Sequence, residues 1–128
     1  MLISYHLGKN TQYYDINMFP LGCTYDKVKK TINKANENNI LIRTNTVLGT
    51  FNIQDIHDIV VDLIEFKPQI INFLPINLFD QAKNMDKFID YFSLRKNIKR
   101  EIDFIKTQLI NTLIFIRYMP FCDMAGYE

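Results

Sequence analysis

Three features of the chain predict an α/β fold: a parallel sheet of about four strands with helices on its outer face. Short β-branched and aromatic runs alternate with stretches of helical periodicity along the sequence. Helical connections between successive strands imply crossovers, which make neighbouring strands parallel. Each strand also keeps its polar residues on one alternating face. A sheet buried on both faces would read as nearly continuous apolar runs. The one-sided polarity suits the inside of an open or closed barrel holding a polar ligand near the strand C-terminal ends. An incompletely covered sheet with solvated edges is the alternative.

The 128 residues amount to about one domain, and a hydrophobic share of 48% supports a real core. A net charge of +1 creates no strong field toward nucleic acid or an anionic membrane. No apolar run approaches the roughly 20 residues of a membrane helix. Met1–Leu7 has neither the basic start nor the long apolar core of a signal peptide. Cys23 and Cys122 are far apart, form no CxxC pair and offer no metal cluster. The expectation is a soluble, cytoplasmic protein from a reducing compartment, with neither nucleic acid nor membrane as a partner.

The first strand is read over Leu2–Leu7, with Leu2, Ser4 and His6 on one face. Gly8–Gly22 follows as a long loop, a class often functional. Thr24–Asn39 reads as a helix: Thr24 suits the N-cap, Asp26 suits the dipole, and Val28, Ile32 and Ala35 share a face. Ile40–Gly49 is the second strand, interrupted by Arg43 and Asn45 two positions apart. A charged group on a buried strand is costly without a partner, so Arg43 is either a satisfied structural arginine or part of a ligand-lining face.

Asn52 and Asp55 read as the start of the next helix, with Ile53, Ile56, Ile59, Val60, Leu63 and Ile64 as its apolar stripe and Pro68 as its end. His57 falls off the stripe and is expected at the surface. Gln69–Asn77 is the third strand, with Asn72 on the Leu74 and Ile76 face and Pro75 limiting its end. Met85–Phe92 reads as a short helix with Phe88, Ile89 and Phe92 inward. Ser93 would cap a longer one carrying Leu94, Ile98, Ile102, Ile105 and Leu109. Leu113–Met119 is the fourth strand, with Arg117 on its polar side and Ile114 and Ile116 on the other. Pro120–Glu128 reads as a turn-rich tail. There is no Walker A loop and no GxGxxG.

Several stretches resemble the second half of the radical SAM domain. They are Ile-Ser-Tyr-His at 3–6, a loop with Asp15, Gly22 before a helix, and Ile-Arg-Thr-Asn-Thr-Val-Leu-Gly-Thr-Phe-Asn at 42–52. Ser-Leu-Arg-Lys-Asn-Ile-Lys-Arg-Glu-Ile-Asp at 93–103 and Ile-Arg-Tyr-Met-Pro-Phe-Cys-Asp-Met-Ala-Gly-Tyr-Glu at 116–128 are similar to a radical SAM subgroup. The resemblance implies a partial TIM barrel and S-adenosyl-L-methionine (SAM) as cofactor. Ser4 and Asn45 would contact SAM, and Arg43, Asn72, Asn77 and Arg117 a small-molecule or peptide substrate. His6 is either a ligand contact or a packed core histidine. Cys122 is either an accessory ligand or a structural thiol.

The family's CxxxCxxC, which holds a [4Fe–4S] cluster, is absent from the chain. The chain therefore resembles the C-terminal portion of a radical SAM protein, as a fragment, a split half or a truncated copy. Its expected partner is the missing N-terminal half or an upstream gene product. Alone it is expected not to cleave SAM; a non-catalytic remnant or small α/β binding module is the other reading.

Overall fold

The computed structural model describes residues 1–6, 8, 25–76 and 89–117. Along them run β1 (Leu2–Ser4), α1 (Tyr25–Glu37), β2 (Arg43–Leu48), α2 (Ile56–Phe66), β3 (Ile70–Pro75), α3 (Tyr91–Gln108) and β4 (Leu113–Ile116). A 3₁₀ turn, Ile53–Asp55, leads into α2. The strands form one sheet in the order β1-β2-β3-β4, and all three pairings are parallel. The α/β class and the parallel sheet are as the alternating pattern predicts. Asn77, Cys23, Cys122, the N-cap position Thr24, the 8–22 loop apart from Gly8, the 77–84 loop, Phe88 and the tail lie outside the described residues.

Side-chain alternation sorts the two sheet faces. Tyr5, Ile42, Leu48, Ile71 and Phe73 enter one core cluster with residues of all three helices, including Ile32, Leu63 and Ile98. Ile3, Ile114 and Ile116 pack against its margin. Fully burying each such aliphatic side chain stabilises the fold by about 1.5–3 kcal/mol. The opposite face carries Leu2, Ser4, Leu113 and Phe115 exposed and Arg43, Asn45, Val47, Ile70 and Leu74 half-buried. Among the described residues the sheet is thus covered by helices on one face only.

Helix ends follow local chemistry. Asn39 adopts φ 54°, the left-handed conformation. The Ile40 amide donates to the Ala35 carbonyl at 2.9 Å and the Asn39 amide to the Asn36 carbonyl at 3.0 Å. That pair of bonds is a Schellman motif, with asparagine in the position glycine usually takes. Lys67, at φ 49°, closes α2 just before Pro68. At the start of α3 the Asp90 carboxylate accepts from the Ser93 amide at 2.9 Å. That bond holds the Asp90 carboxyl below its ordinary pKa.

Four local expectations are corrected. Ser93 is not the cap of the last helix: it lies inside α3, and Asp90 caps it. Phe92 belongs to the same helix and is 78% exposed rather than inward. Two positions before the buried Leu94 is about 200° around a helix, on the far side. Asn52 and Asp55 make no side-chain capping bond, because the Asn52 amide is occupied elsewhere, as described below. The strands are also shorter than their apolar runs; β1 ends at Ser4, although the Tyr5 amide still donates to the Asn45 carbonyl.

Candidate functional site

Parallel pairing places side chains from neighbouring strands in rows across the sheet. The register pairs Ser4 with Asn45, Asn45 with Asn72, and Asn72 with Phe115. These four share one level of the open face. One step toward the strand N-termini lies the row Leu2, Arg43, Ile70 and Leu113. Three of the polar residues predicted on separate strands therefore form one line, and Arg43 stands directly beneath it.

Asn72 is the hub of this line. It is fully buried, and its Nδ2 donates to the Asn45 Oδ1 at 2.9 Å and to the Thr44 carbonyl at 3.0 Å. Its Oδ1 accepts from the Arg43 Nη2 at 3.5 Å, a long bond. Arginine spans about two strand residues, which is how Arg43 reaches the row above its own. The Arg43 Nε is buried and has no hydrogen-bond partner. Thr44 and Thr46 alternate to the helix side, fully buried. Their hydroxyls donate to the Ile70 carbonyl at 3.5 Å and the Tyr5 carbonyl at 2.7 Å.

At the C-terminal end of β1 side chains take over the ladder. The Val47 amide donates to the His6 Nδ1 at 3.0 Å. The Asn52 Nδ2 donates to both the His6 and Val47 carbonyls at 2.7 Å, while its Oδ1 accepts from the Gly49 amide at 3.0 Å. Asn52 thus joins the ends of β1 and β2, and is not available to cap a helix. Burial lowers the His6 pKa below its ordinary 6.5, which keeps the Nδ1 lone pair free to accept.

Not all the expected residues converge. Arg117 is exposed beyond β4, its amide donating to the Phe73 carbonyl at 3.0 Å, and among the described residues no hydrogen bond links its side chain to the row. His6 lies at the end of the face, held by the backbone.

Two buried acids on the helix side escaped sequence reasoning. Asp62, 6% exposed on α2, accepts from the Tyr5 hydroxyl at 2.6 Å and the Tyr25 hydroxyl at 3.1 Å. Burial, then the Asp62 charge, raises the Tyr25 pKa. Glu101, 1% exposed on α3, meets His57 Nδ1 at 2.9 Å and the Arg100 guanidinium at 2.9–3.0 Å. His57 is at the surface, as expected, but it ties α2 to α3 through that buried carboxylate. Both acids hold helices together and neither faces the open side of the sheet.

Among the described residues no group of three or more His, Cys, Asp or Glu is placed to hold a metal ion, and no helix is long and apolar enough to cross a membrane. Comparison with protein-family models, with curated proteins and with solved structures finds no match.

Proposed function

We propose that the open face binds a small polar ligand, and that the chain supplies the SAM- and substrate-contacting wall of a radical SAM-type (β/α) barrel. The observation that carries this reading is the single row Ser4, Asn45 and Asn72 on the face that no described helix covers, in a sheet ordered β1-β2-β3-β4. Hydroxyl and carboxamide groups suit a ribose or an amino-acid end, since they donate and accept at fixed positions. Ser4 and Asn45 are the cofactor contacts in this reading. Arg43 and Asn72 face the substrate, with Asn77 and Arg117 as further contacts.

SAM chemistry of this class needs three thiolates around an iron–sulfur cluster. Two separated cysteines do not fit that requirement, so no step is assigned to a cluster on these residues. The cluster-bearing part comes, in this reading, from polypeptide outside these 128 residues. Iron and sulfide reconstitution of the chain alone yields no 5′-deoxyadenosine.

Isothermal titration with SAM tests the proposal, in the presence of that cluster-bearing part. Asn45→Ala weakens SAM binding by about 1–3 kcal/mol, the usual result of leaving a polar partner unpaired. Arg43→Ala affects substrate more than SAM. Thr44→Val, on the helix side, changes neither. Equal losses at 44 and 45, or none at 45, would remove the reading.

A further inference from the structure

We infer that Arg43 is the seat of an oxyanion, the phosphate or carboxylate group of a ligand lying across the open face. The inference rests on reading that face as a ligand surface, but not on SAM being the ligand.

Arg43 has more donors than partners among the described residues. A guanidinium is always charged and carries five N–H donors in a planar fork. Among the described residues its one hydrogen bond is the 3.5 Å contact to Asn72, and its Nε is buried with no partner. Among the described residues that Nε is the sole buried side-chain nitrogen or oxygen in this condition. Folded proteins rarely leave buried polar groups unpaired, and the exceptions call for a reason. The four strands contain no Asp or Glu, so among the described residues the sheet face offers no carboxylate to this cation.

The neighbours select the sign of the ligand. The Asn72 Oδ1 already accepts from Arg43, and the Asn45 Oδ1 already accepts from Asn72. Both carboxamide oxygens are used internally. The Asn45 Nδ2 makes no hydrogen bond among the described residues, and the Ser4 hydroxyl can also donate, so the row can set donors beside the guanidinium. A positive fork with donors beside it fits an oxyanion and repels a metal cation. Leu2, Ile70, Leu113 and Phe115 flank the polar centre, which suits a ligand with an apolar or aromatic body behind its charged end. Because the Nε is buried, binding turns the guanidinium about its flexible stem. A long single bond to Asn72 gives way to a two-pronged contact.

The test compares sodium phosphate and sodium acetate with sodium chloride at equal ionic strength, on the 128-residue chain, by calorimetric titration and thermal unfolding. The wild-type chain binds phosphate or acetate above the chloride background, and whichever binds names the anionic group. Arg43→Met weakens that binding by about tenfold to a hundredfold, the range of a lost charge-assisted pair. Arg43→Lys, with charge but no fork, recovers only part of it. Lys96→Gln, exposed on α3 away from this face, leaves it unchanged.

Without added anion, Arg43→Met unfolds at or above the wild-type temperature, since it removes an unsatisfied cation. Anion binding equal in wild type and Arg43→Met, a wild-type response no larger than that to chloride, or a clear loss of anion-free stability in Arg43→Met would overturn the inference. SAM titration depends on Asn45 and phosphate titration on Arg43. Phosphate binding without SAM binding would remove the SAM reading and leave this one standing.

Discussion

Replacing Tyr5 with phenylalanine deletes one oxygen from the interior and leaves the ring in place. That ring stands edge-on to Phe66 with centroids 5.2 Å apart, so packing is preserved and only the hydroxyl is lost. The lost bond is the 2.6 Å donation to the Asp62 Oδ2. Hydrogen bonds to charged groups contribute about 1.5–3 kcal/mol. The short distance and the deep burial of both partners put Tyr5→Phe at about 2 kcal/mol. Tyr25→Phe, which breaks a longer 3.1 Å bond to the same carboxylate, costs about 1.5 kcal/mol, the low end of the same range. Urea unfolding followed by far-ultraviolet circular dichroism measures both, with an unchanged m-value showing that the unfolded state is unaffected. An Asp62→Ala background isolates the interaction. There Tyr5→Phe costs under about 0.5 kcal/mol, leaving a coupling of about 1–2 kcal/mol. A Tyr5→Phe cost that is the same in both backgrounds would refute the reasoning, and so would one that is negligible in the wild type.

Two other perturbations follow from the geometry. His6 has a folded-state pKa depressed by burial, so below pH 6.5 the unfolded chain takes up the proton first. The stability contributed by neutral His6 is present above about pH 6.5 and lost as pH falls through the folded pKa; unfolding at pH 7.5 and 5.5 shows a larger loss in wild type than in His6→Gln, and equal losses would contradict the assignment. Gly8 sits so close to α2 that an added Cβ would lie 3.0 Å from the Asp58 Cβ and 3.3 Å from the Ile59 amide nitrogen. Gly8→Ala therefore destabilises by about 1 kcal/mol or more, because a helix backbone is a poor candidate to yield; a neutral result in the same urea assay would show that it yields freely.

The alternation of strand and helix was legible because its two periods, 2 and 3.6, differ clearly. Strand parity also placed Arg43 and Asn45 on one face and Thr44 and Thr46 on the other, as found. That Ser4, Asn45 and Asn72 share a level was not legible, since register depends on how the strands slide past one another. The buried acids were invisible for a related reason. Asp62 interrupts an apolar stripe, and its tyrosines come from β1's end and α1, 57 and 37 residues away. Glu101 likewise depends on His57, 44 residues distant.

Asn52 misled because Asn followed by Asp three positions on looks like a helix start. Tertiary contacts to His6 and Val47 claimed its amide instead. Asp90 was overlooked for the opposite reason. The short helix expected before Ser93 hid a carboxylate already positioned to cap α3.

The central claim is that the Ser4–Asn45–Asn72 side of the sheet, and not the helix side, receives the ligand. Amide-resolved NMR of the chain during a titration with SAM, and separately with phosphate, tests it most directly. The account predicts that the side-chain NH₂ signals of Asn45 and Asn72 and the Arg43 Nε–H signal shift with ligand, while the backbone amides of Ile98 and Glu101 on α3 stay in place. Shifts concentrated on α3, or none at Asn45, Asn72 and Arg43 with either ligand, would contradict it.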